Sequence, residues 1–150
     1  MPRYRRPPTI SCKYLRYKLP ESGAYIRLPL LHVRLISSDV SLTTIGLVDS
    51  GATVTFVPTE LAEILKLTEQ GTQSVTGAGG KFEAYRTTIS RLEILKRKKV
   101  FASFREVPVL VPRNPGAVPY VILGRDYIFP RFRITFIEKK QRMVFRRSRS

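Results

Sequence analysis

From Tyr25 onward the chain is a succession of short β-rich runs broken by turn residues, and this rhythm limits the available folds more than any other feature. In Y-I-R-L-P-L-L-H-V-R-L-I, residues 25–36, the apolar side chains Ile26, Leu28 and Leu30 alternate, the phase slips at Leu31, and alternation resumes with Val33 and Leu35. That pattern predicts a strand with a bulge, and Pro29, which has no N–H to give a neighbour, puts it at a sheet edge. Residues 40–48 form the next expected strand and 53–57 another. Further runs follow at 72–76, 81–90, 91–95, 100–104 and 107–111, and R-I-T-F-I with R-M-V-F-R around E-K-K-Q predicts a closing hairpin. Only P-T-E-L-A-E-I-L-K-L, 58–67, keeps helical spacing, through Leu61, Ile64 and Leu65, with Pro58 or Thr59 at its start and Glu60 in its first turn. Many short strands with one or two short helices make a mainly β domain, closed as a barrel or packed as a sandwich. Residues 1–24 carry Pro2, Pro7, Pro8, Pro20 and Gly23, which interrupt regular structure, and are expected to form an arm.

A chain of 150 residues with 43% hydrophobic side chains is expected to form one compact domain with its own core. No apolar run approaches the roughly 20 residues that cross a bilayer, and M-P-R-Y-R-R-P-P lacks the apolar segment of a signal peptide. The expected compartment is therefore cytoplasmic. A single cysteine, Cys12, and a single histidine, His32, exclude an internal disulfide and leave no ligand set for zinc, so neither a metal nor another cofactor is expected. Cys12 reads as an unactivated thiol and His32, inside an apolar run, as structural. The net charge of +16, from 27 Lys and Arg against 11 Asp and Glu, attracts polyanions. The basic clusters at 3–6, 96–99 and 146–149 lie at the two ends and at a turn, and apart from Tyr4 they lack the aromatic interleaving of a base-stacking platform. Weak, salt-sensitive adhesion to polyanions is the expected consequence, rather than a platform for stacking bases.

Three motifs remain. V-D-S-G-A-T-V-T-F-V-P, 48–58, puts a carboxylate between an apolar run and a tight Ser-Gly turn, where a strand should have ended. V-T-G-A-G-G-K-F, 75–82, carries Gly77, Gly79 and Gly80 within four residues, which makes a mobile hairpin tip able to bring backbone close to a ligand. V-P-Y-V-I-L-G-R-D-Y-I, 118–128, is an apolar strand that ends abruptly at Gly124. In this order and spacing the three motifs resemble those of the retropepsins, the retroviral-type aspartic proteases, over about residues 25–145. The resemblance implies a retropepsin-like β-barrel or sandwich with aspartic endopeptidase activity on a peptide or protein substrate. Asp49 would be the catalytic aspartate, Ser50 the hydroxyl that braces the two active-site loops, and Gly51 the residue that permits the turn, with Ala52 completing the loop. Gly77, Ala78, Gly79 and Gly80 would tip a flap over bound peptide. Ile122, Leu123 and Gly124 would thread beside the active-site loop, and Arg125 with Asp126 would begin a helix supporting it.

The chemistry that the resemblance implies needs two carboxylates sharing one proton, one to activate water and one to protonate the scissile carbonyl. Asp39 and Asp126 have no Ser/Thr-Gly turn after them, and the chain is too short for a second lobe. The second carboxylate is therefore expected from another copy, in a homodimer whose two-fold axis passes between the two Asp49 side chains. One position departs from the family pattern. Retropepsins usually follow the Asp-Ser-Gly-Ala turn with a further Asp that pairs with the Arg of Gly-Arg-Asp, and here that residue is Thr53, so Arg125 lacks its expected partner. Two alternatives stand beside the protease: a non-catalytic retropepsin-like dimer that binds peptides or proteins in its groove, and a basic β-barrel that binds nucleic acid. The expected organisation is a basic, Pro-containing arm at 1–24, the protease domain at 25–145 and a basic tail at 146–150.

Overall fold

The computed structural model describes residues 9–77 and 79–148, so expectations that fall on residues 1–8, on Ala78 or on residues 149–150 lie outside it. In chain order the strands are β1 (Thr9–Lys13), β2 (Leu15–Lys18), β3 (Tyr25–Leu28), β4 (Leu30–Ser37), β5 (Val40–Val48) and β6 (Thr55–Phe56). The helix α1 (Thr59–Ile64) comes next. Then come β7 (Gly71–Gly77), β8 (Gly80–Lys96), β9 (Lys99–Pro112), β10 (Val121–Leu123), β11 (Phe132–Ile137) and β12 (Arg142–Arg147). Short 3-10 turns at Phe129–Arg131 and Glu138–Lys140 flank β11.

Six strands run β4-β5-β10-β6-β9-β8, and β8 pairs back onto β4 to close a barrel, while β7 extends the sheet from β8 as its one edge strand. Most neighbours are antiparallel, but β10 runs parallel to β5 and β6 parallel to β9. The parallel pairing sets the end of β10 beside the end of β5. The interior is filled by alternate residues, among them Val33 and Leu35, Leu92 and Ile94, Val109 and Val111, and Val121 and Leu123. Burying each such side chain contributes about 1.5–3 kcal/mol. The separate sheet β1-β12-β11 adds Cys12, Phe132, Met143 and Phe145 to the same cluster, so barrel and outer sheet share one core. The mainly β architecture with one short helix is the expected one.

Several local expectations are corrected. Thr9–Lys13 and Leu15–Lys18 are strands, not an irregular arm, because the prolines at 7 and 8 stop just before β1 and Pro20 sits in the turn between β2 and β3. Arg146 and Arg147, assigned to a tail, belong to β12. Residues 25–36 are two strands divided at Pro29, and β4 is no edge strand, since it pairs with both β5 and β8. The slip in phase arises because Leu30 and Leu31 are both buried, on opposite faces of β4. The runs at 81–90 and 91–95 form one long strand, and those at 100–104 and 107–111 form another, in which Glu106 takes a left-handed φ of 50° instead of ending the strand. On α1, Leu61, Ala62 and the following Leu65 pack on the core, as the spacing predicts for Leu61 and Leu65, whereas Ile64, also expected there, points outward.

Candidate functional site

The last residues of β5 lie beside β10 in parallel register, with Gly46, Leu47 and Val48 opposite Val121, Ile122 and Leu123. The two strands end together, and the Asp49 N–H donates to the Leu123 carbonyl at 3.1 Å. Asp49 therefore leaves the barrel wall from a position fixed by two strands. The next residues fold back on it: the Gly51 N–H donates to Asp49 Oδ1 at 2.8 Å, and the Ala52 N–H reaches the Asp49 carbonyl at 3.3 Å. This is an Asx-type turn, in which the carboxylate organises its own loop. Ser50 and Gly51 are exposed and Asp49 half-buried, so the carboxylate is held through one oxygen at the protein surface.

A second loop locks against the first. The Arg125 N–H donates to the Ala52 carbonyl and the Asp126 N–H to the Thr53 carbonyl, both at 2.9 Å, and the Gly124 N–H points at Thr55 Oγ1 at 3.4 Å. Gly124 lies so near the other loop that a Cβ there would stand 2.2 Å from the Val54 carbonyl oxygen. Arg125 does find a partner at the departed position, because its Nη2 donates to Thr53 Oγ1 at 3.2 Å. Thr53 thus keeps the contact between the loops with a neutral acceptor, which carries no charge to hold an ion pair. Where Arg125 and Asp126 were expected to begin a helix, the chain makes a turn with Tyr127 at φ 70°, followed by the 3-10 turn at Phe129–Arg131.

The glycine-rich motif is the tip of the β7–β8 hairpin, with Gly77 opposite Gly80. Gly80 takes φ +108°, a conformation that side chains resist, and a Cβ on Gly79 or Gly80 would meet nothing within 4 Å. Gly79 and Gly80 therefore project into open space, while Phe82 lower in the hairpin packs near Phe56 of β6, ring centroids 6.2 Å apart. At the base, Arg113 after β9 holds Glu69 just ahead of β7, and this hydrogen-bonded guanidinium keeps the exposed Glu69 carboxyl below its usual range.

One element escaped the sequence. Tyr120 precedes β10 and, by alternation, lies on the same side as Ile122, away from the core-facing Val121 and Leu123. Its ring meets Tyr17 of β2 edge-on at 5.1 Å. Its hydroxyl is pushed above the ordinary tyrosine value by burial, and further by Tyr17 and Asp49, so the Asp49 charge reaches it. The only sequence signal was the alternation of Tyr120 with two core residues. Cys12, by contrast, is buried, and burial pushes its thiol up, the opposite of an activated nucleophile.

A family model described as Aspartyl protease matches residues 39–127, a span that includes the Asp49 turn, the glycine hairpin and the Gly124–Asp126 loop. No curated protein sequence matches the chain. Among solved structures it is similar to a retropepsin-like aspartic protease from Rickettsia conorii, with a TM-score of 0.50 at 18% identity over 94% of this chain and 95% of that one. The fold is thus retropepsin-like.

Proposed function

The chain belongs to the aspartyl protease family, and from that membership we propose that it is a homodimeric endopeptidase in which each subunit contributes Asp49. The observation that carries this reading is the fixed, surface-facing carboxylate of Asp49, anchored by Leu123 and Gly51. A lone carboxylate of this kind is half of an aspartic site, and a copy related by a two-fold axis supplies the other half. With one proton shared between them, one Asp49 takes a proton from water as it attacks the scissile carbonyl and the other gives a proton to the carbonyl oxygen. The tetrahedral intermediate then collapses with loss of the amine, so no covalent enzyme intermediate forms. Ser50, Gly51 and Ala52 shape the loop, and Gly124, Arg125 and Asp126 brace it from behind. The hairpin tip at 77–80 serves as the flap that closes over the peptide, and Phe82 against Phe56 anchors its stem.

Mixing subunits tests the shared site. When wild-type protein is equilibrated with an equal amount of Asp49→Asn protein, hydrolysis should fall to about a quarter of that of an all-wild-type sample at the same total concentration, because only wild-type pairs hold two carboxylates. Specific activity of the wild type should also fall on dilution below the dimer dissociation constant. A loss of only half on mixing, together with full activity of a monomer in sedimentation, would show that each chain works alone.

The flap assignment separates two neighbouring glycines. Gly80→Val should lower kcat/KM about tenfold, since a β-branched residue at φ +108° strains the tip by about 1–3 kcal/mol and hinders closure. Gly79→Val, in open space and without a left-handed φ, should change it much less. Equal kinetics for both variants and wild type in a peptide assay would remove the flap role.

A further inference from the structure

The sheet β1-β12-β11 buries one face and presents the other as three rows of register partners: Thr9, Arg146 and Arg133; Ser11, Val144 and Thr135; Lys13, Arg142 and Ile137. Two of these rows set cations side by side on neighbouring strands, Arg146 with Arg133 and Lys13 with Arg142. Like charges directly opposite on adjacent strands destabilise a sheet, so this arrangement works against the fold. No acid relieves it. Among the described residues the ion pairs are Arg34 with Glu93 and Arg113 with Glu69, both elsewhere, and Glu138, the one acid after Asp126, accepts from the Tyr14 hydroxyl.

The cationic surface continues past the edge of β1. Lys96 Nζ donates to the Ser11 carbonyl at 2.6 Å and Arg142 Nη1 to Ser11 Oγ at 3.0 Å, which draws the β8–β9 turn against the sheet. The concavity between them has Lys13, Lys96, Arg97 and Arg142 in its wall beside apolar residues such as Leu31 and Leu95, and no carboxylate. A second lies over Arg133 and Arg146 beside Thr135 and Val144.

We propose that this face binds the phosphate backbone of a nucleic acid, independently of base sequence. Adjacent guanidinium groups offer planar N–H forks that match phosphate oxygens, and a phosphate between them removes the repulsion that the bare sheet carries. The two cation rows lie four residues apart along the strands, about 13 Å at the usual rise, so a single phosphate cannot satisfy both and a polymer can. The outward rows contain no aromatic ring on which a base could stack, which restricts recognition to the backbone. Their apolar members are only Val144 and Ile137, both partly buried, too little apolar surface to insert into a lipid bilayer.

The test is fluorescence anisotropy of a labelled mixed-sequence DNA duplex titrated with the full-length protein between about 50 and 200 mM salt. Wild type should bind at low salt, and Arg133→Gln/Arg146→Gln should lose about tenfold or more in affinity, with the slope of log K against log salt flatter by about 1.8, or 0.9 for each lost phosphate contact. Its melting temperature should hold or rise, because a like-charge pair has been removed. Arg91→Gln/Arg105→Gln, which neutralises another cross-strand pair in the barrel, should weaken binding by less than about threefold. Absence of wild-type binding at low salt overturns the proposal, as does an equal loss in both double variants, which would indicate diffuse net charge. So does binding to phosphatidylserine vesicles without binding to DNA at matched charge, or a marked fall in the melting temperature of Arg133→Gln/Arg146→Gln, which would make these arginines structural.

Discussion

Replacing Asp49 by Asn should lower kcat for peptide hydrolysis by about a thousandfold or more and leave the fold nearly untouched. The amide oxygen can still accept from the Gly51 N–H as Oδ1 does at 2.8 Å, and the backbone bond to Leu123 does not involve the side chain at all. What an amide cannot do is take a proton from water and return it, and a positioned proton-transfer group of this kind contributes about 100- to 10,000-fold. Because the group acts on the reacting atoms and not on the rest of the peptide, KM should move far less than kcat. The measurement is cleavage of a diverse peptide library by wild type and variant at equal dimer concentration, with melting temperatures alongside. The same experiment separates a protease from a dimer that only holds peptides. A binder would leave every peptide intact in both forms and would bind equally well after substitution. Undiminished cleavage by the variant would remove Asp49 from the chemistry.

The parts of the site that could be read from the sequence are those in which one local rule decides the outcome. β5 ends at Val48 because alternation stops there and Asp-Ser-Gly can only turn, and the hairpin at 71–96 follows from glycines between two β-rich runs. Barrel closure was not legible in the same way. It depends on β4 pairing with both β5 and β8, and nothing in the composition of 30–37 records the second partner, so Pro29 suggested an edge that closure removed. β1 and β2 were hidden for a related reason. Their stability comes from β12, more than a hundred residues away, and from β3, whereas local reading sees mainly the prolines around them. At position 53 the sequence showed that an acid was missing but not that a hydroxyl could take over the contact, since the reach of Arg125 is set by the crossing of two loops. Tyr17 and Tyr120 are likewise far apart in sequence, and their pairing is a product of tertiary packing alone.

That crossing of loops makes Gly124 the most sensitive position outside the carboxylate itself. Gly124→Ala should destabilise the protein by about 2–4 kcal/mol and remove most of its activity. The new methyl group would lie 2.2 Å from the Val54 carbonyl oxygen, 2.5 Å from the carbonyl carbon and 2.8 Å from the nitrogen, so it meets backbone and not the end of a side chain that could swing away. Relief requires β10 and the segment after the Asp49 turn to separate. Separation stretches the bonds from Arg125 to Ala52 and from Asp126 to Thr53, and it draws Leu123 away from the Asp49 N–H, so the damage reaches the carboxylate through the backbone. For a domain of this size each kcal/mol shifts the melting temperature by about 2–4 °C, and the expected fall is roughly 4–16 °C. Gly79→Ala is the matched control, because its methyl group would project into open space and should leave the melting temperature within about 2 °C. Activity should be compared well below the variant's transition, so that loss of geometry is separated from loss of folded protein. If Gly124→Ala melts with wild type and cleaves as fast, the two loops are not locked together, and the positioning of Asp49 by Leu123 would need another explanation.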